Sequence, residues 1–227
     1  MSGAAPRSPD DDPHWRRLYE STRTAAVADA QRRLADGPSQ SLAHDLVAEA
    51  IARMEQVIAS DANPPARACK RGCSWCCRQP VFLTAPEAVA VVAHLRATWN
   101  NDQLAALRSD LAMRIAEHRT LREDRRLLTA GLPCVFLDED NACTIHGVRP
   151  LICRGFMSSS AEACAERYID PVNAPPPPVD VHAYTAARGV LHGLSAALTD
   201  AGMAGGMGEL NVLLAQLLSP AQDHTTA

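Results

Sequence analysis

Apolar positions recur at helical spacing along most of the chain. The clearest run is 42–58, where Leu42, Leu46, Val47, Ala50, Ile51, Met54 and Ile58 form one stripe with a 3.6-residue period. A weaker stripe precedes it. Leu18, Tyr19, Ala26 and Ala30 fall about a turn apart in a charged, Ala-rich segment from Trp15 to Leu34, which Gly37-Pro38 ends. Ser39 or Ser41 can cap the second helix, and Pro64-Pro65 stops it. The two are expected to pack against each other as a hairpin.

Periodicity is lost over 69–83, CKRGCSWCCRQPVFL, which reads as a tight knuckle with Gly72 easing its turn. It returns at TAPEAVAVVAHLRA. There Thr84 and Glu87 stand three apart as in a capping box, Pro86 falls in the first turn, and Val89, Val92 and Leu95 are expected to face inward. A long helix follows from Asp102 to Leu128, with Leu104, Leu107, Leu111 and Ile115 on its inner side. Val135-Phe136-Leu137 and Cys143-Thr144-Ile145 flank the polar Asp138–Asn141 turn and suggest a small hairpin. The stretch from Ser158 to Tyr168 is small and polar, and PVNAPPPP at 171–178 is a stiff connector. Asp180 can cap a helix bearing Val181, Tyr184, Ala187, Leu191, Leu194 and Leu198. After the Gly202–Gly208 break comes a short amphipathic helix in GELNVLLAQLLSP.

The pattern places the chain in the mainly α class: a helical domain with a cysteine-rich metal-binding knuckle and a short β-hairpin. Its expected organisation is a disordered tail at 1–13, a helical hairpin at 14–66 and a cysteine-cluster core at 67–170. A Pro-rich connector at 171–179 and C-terminal helices at 180–220, packed on the core, complete it. Only nine of 227 residues are aromatic while 47% are hydrophobic, so the core must be built from Leu, Val, Ile and Ala, which suits packed helices.

The net charge of -4 argues against nucleic acid as a partner. The one Arg-rich segment, containing Arg114, His118, Arg119, Arg122, Arg125 and Arg126, is interleaved with Glu117, Glu123 and Asp124 and reads as a solvated helix face. The opening MSGAAPRSPDDDPHW lacks the charge and apolar run of a signal peptide, and no apolar stretch is long enough to span a bilayer. The expected location is the cytoplasm, without membrane association, where persistent disulfides are rare.

That setting changes the meaning of the eight cysteines. Cys69, Cys73, Cys76 and Cys77 are spaced C-x3-C-x2-C-C, and Cys134, Cys143, Cys153 and Cys164 follow downstream. Four thiols within nine residues can turn toward a common centre, whether tetrahedral zinc or an iron–sulfur cluster. Adjacent Cys76 and Cys77 project differently, so both are poorly placed to bind one ion. One site could combine ligands from the two groups, all eight could fill two four-ligand sites, or one thiol, Cys77 or Cys164, could be spare. Arg149 and Arg154 bracket Cys153 and can neutralise a thiolate cluster from its second shell. His146 is a candidate nitrogen donor or a neighbour of the site. Phe82, Phe136 and Phe156 recur just beyond cysteines and suggest a dry wall. Trp75 would either cover the centre or be an exposed recognition residue.

With these residues in place the chain resembles the YkgJ-like cysteine-cluster family of zinc- or iron-chelating proteins. The matching stretches are CKRGCSWCC at 69–77 and PCVFLDEDNACTIHGVRPLICRGF at 133–156, including Arg149-Pro150 and Cys153-Arg154. His146 departs from the family's aromatic residue, and Ser74-Trp75 from its more usual glycine. The resemblance implies metal binding. Some larger relatives are similar to flagellin lysine methylases, which implies an iron–sulfur alternative.

Three functions follow from the residues and this resemblance. The first is a protein chelating zinc or iron in a structural or accessory role. The second is a [4Fe–4S] protein in electron- or group-transfer chemistry, and the third a metal-braced helical module docking on an unspecified protein partner. No P-loop, dinucleotide-binding glycine pattern, HExxH or G-x-S-x-G motif is present, and enzymatic activity stays open.

Overall fold

The structure is a computed structural model describing residues 12–39, 41–123, 131–203 and 206–219. Among these the chain forms α1 (Pro13–Ala35), α2 (Leu42–Ala59), β1 (Phe82–Leu83), α3 (Ala85–Thr98), α4 (Asn101–Glu123), α5 (Leu151–Gly155), α6 (Ala161–Ile169), α7 (Val181–Asp200), β2 (Gly208–Glu209) and α8 (Leu210–Leu218). The protein is thus mainly helical, with a two-stranded antiparallel sheet. Residues 1–11 of the expected tail, the end of the helix expected to reach Leu128, with Arg125 and Arg126, and Pro220 lie outside the described residues. No helix among the described residues is long and apolar enough to cross a membrane.

Local chemistry starts and stops these helices. Asp12 caps α1 by accepting from His14 N at 2.7 Å, and Gly37, at φ +84°, ends it by donating to Leu34 O. Asp180 caps α7 through Ala183 N at 2.9 Å, as its sequence position suggests. The Thr84–Glu87 capping box forms as expected. It turns Glu87 into the protein and sets the phase of α3, so Ala88, Val91, Val92 and Leu95 are buried. Val89, expected inside, is instead 39% exposed.

Two apolar cores result. The first joins α1, α2 and α7, with Leu151 of α5 added to it. It depends on close approach, because α7 presents glycines to α1. A Cβ on Gly189 would lie 2.9 Å from Thr22 Cβ, and one on Gly193 only 2.6 Å from Arg23 O and 2.7 Å from Ala26 Cβ. Beside this seam, buried Asp29 accepts from Arg53 Nε at 2.6 Å and Nη2 at 3.0 Å and also pairs with Arg32. The second core joins α3, α4 and α8 with Leu83, Phe136 and Ile145.

The strands are not where periodicity placed them. Phe82 pairs with Glu209 and Leu83 with Gly208, tying the end of the knuckle to the start of α8. The hairpin expected at 135–145 reduces to one bridge, Leu137–Cys143. Its turn is closed by a side chain: Asp138 Oδ1 accepts from Asp140 N and Ala142 N, and Asn141 takes φ 58°. The helices α5 and α6 were not expected. The polar stretch after Ser158 is helical because Ser160 caps it through Ala163 N at 3.0 Å and helix-forming residues follow.

Two outcomes follow. Gly193→Val should push α1 from α7 and cost about 2–3 kcal/mol, read as a lower urea midpoint. Asp29 is held below the usual carboxylate range chiefly by its hydrogen bond with Arg53, against burial. A depressed folded-state pKa adds stability at neutral pH that is lost as pH falls through it. Asp29→Ala should therefore flatten the acid limb of stability against pH. At pH 7 it should cost about 2 kcal/mol, less than a fully buried pair because Arg53 and Arg32 are partly solvated.

Candidate metal centre

The knuckle is built by short backbone bonds rather than by a helix or sheet. Cys73 N donates to Lys70 O at 3.0 Å, Cys77 N donates to Ser74 O at 3.0 Å, and Trp75–Arg78 form a single 3-10 turn. Gly72 takes φ +83°, and a Cβ there would stand 3.3 Å from Asp140 O, so the knuckle approaches the 138–141 turn at a residue suited to glycine. Cys134 N donates to Cys77 O at 2.8 Å, joining the two cysteine regions through backbone. Trp75 packs against Tyr168 of α6 with ring centroids 5.4 Å apart, and Arg78 lies over the same ring. Trp75 therefore docks α6 on the knuckle.

Cys153 is placed by α5, and α5 is placed by Glu87. The Glu87 carboxylate accepts from Thr84 N and Oγ1 through Oε2, and from Leu151 N through Oε1 at 2.8 Å. The capping group of α3 is thus also the anchor of α5. On its other side Gly155 fits against α7, where a Cβ would meet Ala187 Cβ at 2.3 Å and Ala183 O at 2.9 Å. Arg154 donates to Arg149 O and Gly147 O, stapling the loop before α5. No sequence pattern ties Glu87 to Leu151, 64 residues away.

These segments enclose a cavity of about 850 Å³ whose wall includes Cys69, Cys73, Cys76, Cys77, Cys134, Cys143 and Cys153. The same wall contains His146 and Arg149, and all three phenylalanines Phe82, Phe136 and Phe156, although Phe82 is 47% exposed. Within it, Cys153 feels the charges of Cys134, Cys77 and Cys143, Cys134 those of Cys77 and Cys143, and Cys143 that of Cys77. Cys73 is influenced by Cys69, Cys164 and Cys77, and Cys76 by Cys77, Cys153 and Cys69. Ser158 N donates to Cys69 Sγ at 3.3 Å. Cys164, on α6, is not part of the cavity wall. All eight cysteines are free thiols.

Burial pushes the Cys134 thiol up to about 12 and Cys153 well above the ordinary range. Cys73 and Cys143 are raised for the same reason, and Cys76 is raised first by its hydrogen bond with Cys77. Cys77 is lowered by that bond and then by Arg149 and Arg78. Clustered, desolvated sulfurs hold their protons unless a cation shares their charge, and a divalent metal reverses that preference. Arg149 Nε is buried with no hydrogen-bond partner among the described residues, a donor suited to a charged sulfur. His146 is exposed, and its ring is made less basic by Arg149, then burial, Arg154 and Arg71. A neutral imidazole can act as a ligand. The soft donor set and the orphaned Arg149 donor fit zinc or iron. As they stand, no three Cys, His, Asp or Glu side chains among the described residues form a closed cage for an ion.

Residues 68–171 match the family model CxxCxxCC, described as "Putative zinc- or iron-chelating domain". The match covers less than half of the chain and identifies this region as a YkgJ-like cysteine-cluster domain. No curated protein and no solved structure matches the chain.

Glu87→Ala should remove the cap of α3 and leave Leu151 N without its acceptor, costing about 2–3 kcal/mol in chemical denaturation. If Glu87 positions Cys153, this variant should also bind metal more weakly than a control of equal stability loss such as Gly193→Val.

Proposed function

We propose, with residues 68–171 as a zinc- or iron-chelating cysteine-cluster domain, that the protein binds metal through Cys77, Cys134, Cys143 and Cys153 as a structural or accessory metalloprotein. The observation that carries this reading is that these four thiols line one cavity, although they come from three separate segments. The metal would join the knuckle, the 134–143 loop and α5, which share no extended hydrogen-bonded ladder. Four thiolates on a divalent ion leave two excess negative charges, and Arg149 is the donor best placed to offset them. Arg154 would act through the loop it staples, and His146 would stay at the rim. Cys69, Cys73, Cys76 and Cys164 are the remaining thiols and the candidates for a further site, with Cys69 and Cys164 acting on Cys73, while Cys76 is hydrogen-bonded to Cys77 of the first set. Free thiols in this number suit a reducing cytoplasm.

The iron–sulfur reading has its own support, because a cavity of about 850 Å³ is far larger than a single ion requires. When bound, zinc would brace the loops, whereas an iron–sulfur cluster would also accept and donate electrons.

Single Cys→Ser variants, purified without air, test the ligand set by elemental analysis. Cys77→Ser, Cys134→Ser, Cys143→Ser and Cys153→Ser should each lose the bound metal and lower the thermal midpoint by more than about 5 °C. Full metal content in both Cys77→Ser and Cys153→Ser would refute the assignment. A brown protein bleached by dithionite identifies an iron–sulfur cluster, and a colourless one with stoichiometric zinc identifies a zinc site.

A further inference from the structure

Cys76 and Cys77, expected to project differently, are joined in the structure. The Cys76 thiol donates a hydrogen bond to Cys77 Sγ, and both side chains line the cavity of about 850 Å³. Both are free thiols and partly exposed. Backbone bonds fix the acceptor: Cys77 N donates to Ser74 O at 3.0 Å, and Cys77 O accepts from Cys134 N at 2.8 Å. The ligand set proposed for the metal uses Cys77 and leaves its neighbour without a part.

Two thiols in contact can do what one cannot. A sulfur that attacks a disulfide stays trapped as a mixed disulfide unless a second thiol displaces it. Cys77, the acceptor of the bond, is placed to attack, and Cys76, in contact with it, to resolve the adduct. Arg149 lines the same cavity, its Nε buried and without a hydrogen-bond partner among the described residues, so a sulfur anion released there meets a donor in the wall. The cavity volume lies within the roughly 300–1,000 Å³ of small-molecule sites, and Val81, Phe136 and Ile145 add apolar wall for a reagent. Adjacency decides the character of the product. Neighbouring Cα atoms across a trans peptide stand about 3.8 Å apart, closer than the roughly 4.4–6.8 Å of ordinary disulfides. A bond closed between these two residues is therefore strained and easily reduced again, as suits a reversible exchange.

We propose that the metal-free protein carries out thiol–disulfide exchange between its Cys76–Cys77 pair and small organic disulfides that enter the cavity. Cys77 Sγ bonds to one sulfur of the substrate as the substrate S–S bond breaks, and one thiolate leaves. Cys76 Sγ then attacks Cys77 Sγ and expels the second. Two protein thiols are oxidised by two electrons, the substrate is reduced to two thiols, and the two protein protons pass to them. A small dithiol reverses the reaction. The exchange stands apart from the metal reading, whereas its suppression by a metal that occupies Cys77 rests on that reading.

Peptide mapping of the alkylated full-length protein tests it. The protein is purified without air and either stripped of metal or loaded with zinc, bis(2-hydroxyethyl) disulfide is the probe, and zinc content is measured on each sample. In the metal-free protein the first bond formed should link Cys76 to Cys77, with two equivalents of 2-mercaptoethanol released per chain, and dithiothreitol should restore both thiols. Cys76→Ser should stop at a probe adduct on Cys77, and Cys77→Ser should slow the first loss of thiol at least ten-fold. Concentrated urea should abolish the preference for this pair. Several outcomes would overturn the proposal: a first bond between any other cysteines, a lasting adduct in the unsubstituted protein, no Cys77 adduct in Cys76→Ser, an unslowed Cys77→Ser, or the same preference in urea. Bound zinc should slow the exchange at least ten-fold. Exchange undiminished by zinc would sustain the dithiol chemistry while counting against Cys77 as a ligand, so the two readings fail separately.

Discussion

Ionising several thiols side by side away from water is unfavourable unless something shares the charge they would carry. The rest of this structure is arranged around that constraint. Burial raises Cys134, Cys143 and Cys153, and the exception, Cys77, is the thiol reached by a hydrogen bond and two arginines. The segments that carry these residues have little regular structure of their own: two 3-10 turns, one β-bridge and a five-residue helix. Such segments need either a surrounding scaffold or a bound ion to hold them.

The scaffold contributes through two devices. Glycines on α7 let α1 approach closely, and Gly155 lets α5 rest on the opposite side of the same helix. The backbone of α7 therefore becomes the reference from which Cys153 is measured. Glu87 then ties α5 to the start of α3, so the two apolar cores meet where Cys153 stands. The small sheet anchors the other end of the knuckle to α8. The cysteines lie at the seam between the cores, and a seam is where cavities and ligand sites arise.

A single cavity thus has two chemically different walls. One is soft and thiol-rich, suited to zinc or iron. The other carries cationic and aromatic groups on a helix, with Arg188 over the rings of Tyr19 and Tyr184.

The sequence by itself determined what local interactions control. The stripe in α2, the Thr84–Glu87 box, the Asp180 cap and the turn at Gly72 were all legible, because each depends on neighbours a few residues apart. The density of cysteines likewise pointed to soft-metal chemistry, but the expectation that Cys76 and Cys77 project apart did not hold, because their thiols share a hydrogen bond and one cavity. Tertiary structure decided which thiols share a cavity, that Trp75 packs on Tyr168, that Phe82 pairs with Glu209, and that Tyr184 and Arg188 line the far wall. It also moved Val89 to the surface, because the buried Glu87 sets the phase of α3. Those outcomes depend on contacts between residues tens of positions apart, and no local periodicity encodes where two packed cores will meet.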